Sequence, residues 1–319
     1  MSRAEPVRQA PRYVAEIDDA GLGAVDAVRV SDRKSNLWLD AWRDLRKQWM
    51  FWAAATIIAL AIVVAIFPGL FTQTPPNNDC FLQNSNAGPA PGHPLGFTKQ
   101  GCDIYSRVIH GTSTSLSVGV IVTLLTAFMG IVLGAFAGYF GGWLDSVLMR
   151  IGDIFFAIPY ILAAVVIMSM FLNDRNILII SLAIGFFSWP STARILRSEV
   201  LRVKQSDYVM ASEALGLSRV RTMFAHVLPN AIAPVIIVST VGMAAAIAAE
   251  ATLSFLGVGL PNNVYMSWGN DISQAQVDLR TNPMALVYPS IALSVTVLAF
   301  IMLGEVVRDA LDPRARAVR

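Results

Sequence analysis

Charge is what this sequence has least of. Asp, Glu, Lys and Arg make up 14% of its 319 residues, against about a quarter in an average soluble protein. That deficit argues against the pair of soluble domains its length would allow, and against disorder, a coiled coil or a collagen-like chain. The net charge of +2 gives no electrostatic footing for nucleic acid. Histidine and cysteine are scarce too, with three and two copies. His110 and His226 have no accompanying acid, base or nucleophile that would build an intramembrane catalytic set. No catalytic residue and no metal site is expected. No G-x-x-x-x-G-K-[ST] loop is present, so the chain has no phosphate cradle of that kind.

What the sequence has in abundance is apolar length. Apolar residues reach 55% and the mean hydropathy is +0.56. Six runs lack Asp, Glu, Lys and Arg: Gln48–Asn78, Val108–Leu144, Ile154–Asn173, Asn176–Ala193, Thr222–Ala249 and Thr281–Gly304. Each is long enough to cross about 30 Å of hydrocarbon. They predict spans at 50–71, 116–140, 152–172, 177–193, 231–251 and 287–307. The fourth is the weakest, because Trp189 and Pro190 lie near its end. A seventh run, Ala251–Asn270, carries Gly257, Gly259, Pro261 and Gly269 and reads as loop. Six crossings put both termini on one side. Of the 24 Lys and Arg, 20 fall in segments on that side, which predicts cytoplasmic termini.

The polar stretch before the first span is too long for a cleaved secretory leader. Met1–Ser35 is mixed in charge and poor in aromatics, as solvated tails are. Trp38, Trp42, Trp49 and Trp52, with Arg43, Arg46 and Lys47, predict an interfacial helix leading into the first span. Thr72–Arg107 is the longest outside segment, and it holds both Cys80 and Cys102. On the oxidising side of a membrane the two are expected to form a disulfide. Two independent thiols are the alternative. With only His93 nearby, they make a poor zinc site.

Gly130, Gly134 and Gly138 repeat every four residues and make one smooth helix face. It can serve packing within the chain or a contact between subunits. Pro159, Pro190, Pro234 and Pro289 lie in or beside spans, where neighbouring groups tolerate them. Kinks of a moving gate are the alternative role. Asp153, Glu250 and Glu305 fall near predicted span ends, within expected reach of water or headgroups. None falls at a midplane, which weighs against an ion-coupled secondary transporter. Thr123, Thr126, Ser181, Ser188, Ser239 and Thr240 are the hydroxyls that could face a pore. Helix-packing hydroxyls are their plainer reading.

The one long internal cytoplasmic segment is Arg194–Pro229. Arg194–Val203 reads as a helical extension of the fourth span. Ser206 or Asp207 can cap a short helix through Tyr208–Leu215, which Gly216 would end in the left-handed conformation. Ser218 can cap a second helix, which Pro229 would end. Two short helices joined at a glycine make a knob. Tyr208, Val209, Leu215 and Leu217 would leave apolar surface on it, rimmed by charge, as docking surfaces are.

The stretch 207–230, DYVMASEALGLSRVRTMFAHVLPN, resembles the signature cytoplasmic loop of binding-protein-dependent ABC importer permeases. Gly216 matches that pattern's glycine, and His226, Leu228, Pro229 and Asn230 match its ending. Met210, Ala211 and Ser212 stand where the pattern has Glu-Ala-Ala, so a salt bridge made by the usual Glu is missing here. Further fragments are similar to the dipeptide/oligopeptide branch, in its second, C-type permease: HPLG at 93–96, GCDIYSRVIHGTSTSL at 101–116, GYFGGWLDSVLMRIGDIFFAIP at 138–159, SFLGVGLP at 254–261, SWG at 267–269 and LGEVVRDALDPRAR at 303–316. Together they span 93–316. The first 92 residues match in layout only.

The resemblance implies an all-α membrane protein of type I ABC importer permease fold, with six transmembrane helices, in a prokaryotic cell membrane. It implies a cytoplasmic tail and interfacial helix at 1–48, a first span at 49–71, an outside loop at 72–107, a core at 108–310 and a tail at 311–319. Within the core, the 194–229 loop would couple to an ATPase. Tyr208, Val209, Met210, Ala211, Ser212, Glu213, Ala214, Leu215, Gly216, Leu217, His226 and Pro229 would dock there. The His226 side chain itself reads as structural, holding the end of the loop. The implied partners are a homologous second permease, two ATPase subunits (or a fused one), an extracytoplasmic substrate-binding protein and membrane lipid. ATP and Mg would be bound by the ATPases, with no cofactor in this chain. The implied cargo is di- or oligopeptides; nickel or another small solute is the alternative within the branch.

Overall fold

A computed structural model describes residues 37–311, and among these the chain is helical with no strand. Met1–Asn36 and 312–319 lie outside the described residues, and with them the tail expected at Met1–Ser35 and most of the C-terminal basic stretch. α1 (Leu37–Leu45) is followed by α2 (Trp49–Ile66). The Trp52 indole N–H donates to the Arg46 carbonyl at 3.0 Å, and the Trp42 ring meets Phe51 edge-on. α1 lies against the far end of the chain through Ala41, Ala310 and Leu311.

α2 is shorter than the predicted first span. It stops at Ile66, and Pro68–Leu70 forms a 3-10 turn. A proline ring supplies no N–H to continue the ladder. α3 (Ile104–Phe140) starts within the stretch read as outside loop, because the Asp103 carboxylate caps it by accepting from the Tyr105 N–H at 3.1 Å. At 1.5 Å per residue it is about 55 Å long. Gly141 and Gly142, both at positive φ, end it and turn the chain into α4 (Gly142–Ala157).

The predicted third span, 152–172, is not one straight helix. α4 meets α5 (Tyr160–Met170) at 78° across Ile158 and Pro159. The described residues therefore hold five helices long and apolar enough to cross a membrane, or six if this bent pair counts as one. α6 (Ile177–Lys204) is capped by Asn176 and carries Pro190 in its interior, so the fourth span runs well past residue 193. The segment 194–204 continues that helix, as expected for Arg194–Val203. After the short elements at 207–231 come α10 (Ala233–Phe255), α11 (Trp268–Ala275) and α12 (Met284–Leu311). The run Ala251–Asn270 holds the last turn of α10, the connection at 256–267 and the start of α11.

The glycine face of α3 settles against α6. A Cβ on Gly130, Gly134 or Gly138 would meet Thr192, Ala193 and Arg197 with Val200 in turn. Rising numbers face rising numbers, so the two helices are parallel. Their ends, Phe140 and Lys204, share one end of the bundle, opposite the loop before Ile104. The glycines thus serve packing within the chain. One apolar cluster joins α3, α5, α6 and α10 through Val122, Met168, Ile184 and Leu253. A second joins α2, α3, α10 and α12 through Ile58, Leu116, Ile247 and Phe300. Leu124, Phe128, Val166 and Leu298 point outward. That outward apolar surface is what lipid requires, and the chain is a multi-pass membrane protein.

Candidate functional site

The segment after α6 builds the knob. α7 (Asp207–Ala214) begins at Ser206, whose backbone is extended. The expected side-chain cap is not made; the Ser206 carbonyl accepts from Val209 and Met210 N–H instead. At the other end Gly216 has φ +86°. The Leu217 N–H reaches the Ser212 carbonyl at 3.2 Å and the Gly216 N–H reaches that of Glu213 at 3.0 Å. That is a Schellman ending, which needs a residue free to adopt positive φ.

α8 (Arg219–Thr222) follows, capped by the Ser218 hydroxyl, which accepts from the Arg221 N–H at 3.4 Å. Pro229 does not end this helix as expected. The chain widens to a π turn over Met223–Val227 and continues through α9 (Leu228–Ala231), with Pro229 in its first turn. Asn230 stitches the join, its Nδ2 donating to the His226 carbonyl at 2.7 Å. The His226 side chain is half-buried.

The knob does not present all the expected docking residues. Val209 is 1% exposed. It plugs a cluster of Tyr139, Leu196, Val200, Met223 and Val227. Val209 and Ser212 share the inward face of α7 at helical spacing, and Leu217 is half-buried. Tyr208, Met210, Ala211, Ala214, Leu215 and Gly216 are exposed, and Leu215 is the most open at 83%. Val220 and Phe224, which the sequence reading missed, add to this apolar surface. They stand four residues apart, on one face of the helical segment. Asp207, Arg219 and Arg221 rim it. Glu213 is exposed as well, and its Oε1 accepts from the Tyr139 hydroxyl at 2.7 Å. Pro229 is exposed at the base.

A groove of about 310 Å³ lies between α3, α6, α10 and the α4–α5 break. Thr123, Thr126, Ser188 and Ser239 line it, with Pro159 and Tyr160 from the break; no lining side chain is charged. The other two hydroxyls named from sequence lie elsewhere. Ser181 is fully buried and bonds the Ile177 carbonyl. Thr240 bonds the Ile236 carbonyl and lies in an apolar groove beside α2 and α12.

At the opposite end from the knob, Cys80 and Cys102 are joined by an S–S bond. Nearby, Arg107 donates to Asp271 from Nε at 2.7 Å and to Asn77 at 2.5 Å. Both members of the ion pair are more than nine-tenths buried. Burial pushes the Asp271 carboxyl above its ordinary value, and the Arg107 guanidinium opposes that shift.

Glu250 corrects an expectation. It is 0% exposed rather than within reach of water or headgroups. The Ser254 hydroxyl donates to it at 2.8 Å and that of Ser115 at 3.2 Å. The covering element is α11, which folds back so closely that a Cβ on Gly269 would stand 2.5 Å from the Ala251 Cα. Asp153 and Glu305 are exposed as expected, and pair with Arg194 and Arg308. Among the described residues no cluster of His, Cys, Asp and Glu could hold a metal.

Comparison with known proteins bears on both ends. The family described as binding-protein-dependent transport system inner membrane component matches residues 130–317, which include the knob. A second, the N-terminal TM domain of oligopeptide transport permease C, matches 36–89. The glutathione transport system permease protein of Escherichia coli O157:H7 is 35% identical over 297 residues, covering 93% of this chain and 97% of that protein. The oligopeptide transport system permease protein of Bacillus subtilis is 33% identical over 299 residues, covering 94% and 97%. The glutathione transport system permease protein of Pectobacterium atrosepticum is 33% identical over 280 residues, covering 88% and 92%.

Proposed function

The chain belongs to the family of binding-protein-dependent transport system inner membrane components, and from that premise we propose that it is the C-type permease subunit of an ATP-driven peptide importer. It forms half of a translocation pore with a homologous second permease. Two ATPase subunits bind ATP and Mg and hydrolyse the nucleotide, and a substrate-binding protein delivers cargo from outside. The bent pair α4–α5 counts as one crossing, giving six and placing both termini in the cytoplasm. The asymmetry of Lys and Arg supports that orientation, as does the disulfide on the opposite, oxidising side. Relatives named for glutathione and for oligopeptides support a peptide cargo. The uncharged, hydroxyl-bearing groove suits a cargo of amides and mixed charge.

The observation that carries the energy-coupling role is the knob. Its outer face exposes Tyr208, Met210, Leu215, Val220 and Phe224, while Val209 anchors it inward. A compact apolar face at the cytoplasmic end fits a groove on an ATPase. Leu215→Asp places a charge at its most exposed apolar position without touching the Val209 anchor. Tagged wild-type protein purified from its native membrane is expected to bring an ATPase and a second permease. The Leu215→Asp variant is expected to keep the permease and lose the ATPase. A wild-type chain that purifies alone would contradict the reading.

A further inference from the structure

Tyr139 is fixed by three elements at once. It is the penultimate residue of α3 and its side chain is buried. Its hydroxyl donates to Glu213 on α7 at 2.7 Å. Arg219 on α8 lines the same small pocket as the Tyr139 ring, Lys204 and Glu213. Lys204, the last residue of α6, donates from Nζ to the Tyr139 carbonyl at 2.6 Å and lies over its ring. Among the described residues, the knob's other attachments are apolar contacts and the chain itself.

α3 and α6 cannot slide freely past one another, because the glycine face holds their backbones in contact. Both carry residues that line the groove: Thr123 and Thr126 on one, Ser188 and Thr192 on the other. Anything that moves Glu213 relative to the membrane therefore pulls, through one phenol, on the two helices that form one wall of the groove. We propose that Tyr139 is a positioning residue of the coupling step, a polar pin that delivers movement of the ATPase-docked knob to α3 and α6. The assignment rests on the importer reading above and names the residue through which that reading operates.

Tyr139→Phe removes the pin and keeps the ring over Lys204. The test uses the whole complex purified from its membrane, with spin labels at Ser188→Cys and Ser239→Cys across the groove. The chain's two natural cysteines are joined to each other, so the labels go only to the new thiols of this subunit. The label-to-label distance is read without nucleotide and after trapping with ATP and vanadate, and ATP hydrolysis is measured on the same sample. The wild type is expected to shift its distance distribution on trapping. Tyr139→Phe is expected to hold its ATPase and hydrolyse ATP while the shifted fraction falls on the order of fivefold, the weight of one hydrogen bond of about 1 kcal/mol.

Glu213→Ala should behave as Tyr139→Phe, and the double variant no worse than either single. Glu213→Gln, whose amide oxygen still accepts, should lose less than Glu213→Ala. A shift in Tyr139→Phe equal to wild type overturns the assignment and leaves the importer reading intact. A wild-type complex with no shift at all overturns the importer reading and the assignment with it. Should Tyr139→Phe fail to assemble, the two Glu213 variants decide: equal shifts in both overturn the pin, and loss in Ala with retention in Gln supports it.

Discussion

Gly134→Ala adds one methyl group at the tightest point between α3 and α6. Its Cβ would stand 2.5 Å from the Ala193 carbonyl oxygen and 3.1 Å from the Ala193 Cα. Comfortable contact needs roughly 3.5 Å. Both obstructing atoms are backbone, so no rotamer relieves the clash and the helices must part by about 1 Å. A gap of that size costs their neighbours a quarter to a half of each dispersion contact. Overpacking of this kind costs about 1–3 kcal/mol. Opposing it, alanine gains about 1 kcal/mol of helix propensity over glycine. The clash should win, leaving a net loss of up to about 2 kcal/mol. Gly242→Ala, in α10, is the control, because a Cβ there meets nothing within 4 Å and should gain the propensity alone. Thermal unfolding of the two purified variants and the wild type in one detergent gives the order. The expected ranking of Tm is Gly242→Ala at or above wild type, and Gly134→Ala below it. A Gly134→Ala variant as stable as Gly242→Ala would refute the claim that this glycine face is closed against α6.

Two further outcomes follow from the end of the bundle opposite the knob. Asp271→Asn leaves the Arg107 guanidinium, 4% exposed, without a counter-charge, and should cost about 3–5 kcal/mol; a Tm within error of wild type would contradict a closed site. Reducing the Cys80–Cys102 bridge reopens a loop of sequence separation 22 and should cost about 3 kcal/mol on the chain-entropy estimate. Unfolding with and without dithiothreitol reads this directly, and identical curves would contradict it.

The spans were legible because lipid demands unbroken apolar length, and each charge-free run except Ala251–Asn270 overlaps most of a membrane-length helix or the second half of the bent pair. What proline does within a span was not legible. Pro190 and Pro289 sit inside α6 and α12 without ending them, whereas Pro159 marks a 78° break. The outcome depends on which neighbours satisfy the freed backbone groups, and residue type does not carry that. The knob's existence was readable from Gly216 and Ser218. Which of its apolar residues faces outward was not, because Val209 turns inward only in the presence of Tyr139 and Val200 from distant helices. The burial of Glu250 depends likewise on α11 folding back across a turn that the sequence marks only as loop.

The most direct test of the energy-coupling claim is peptide uptake into vesicles. The complex purified from its native membrane is reconstituted with its binding protein, and entry of labelled glutathione and tetra-alanine is followed with and without ATP. Uptake that needs ATP, and that disappears with Leu215→Asp, is the predicted result. Uptake of either peptide that proceeds equally without ATP would contradict the claim that a partner ATPase drives this permease through its knob.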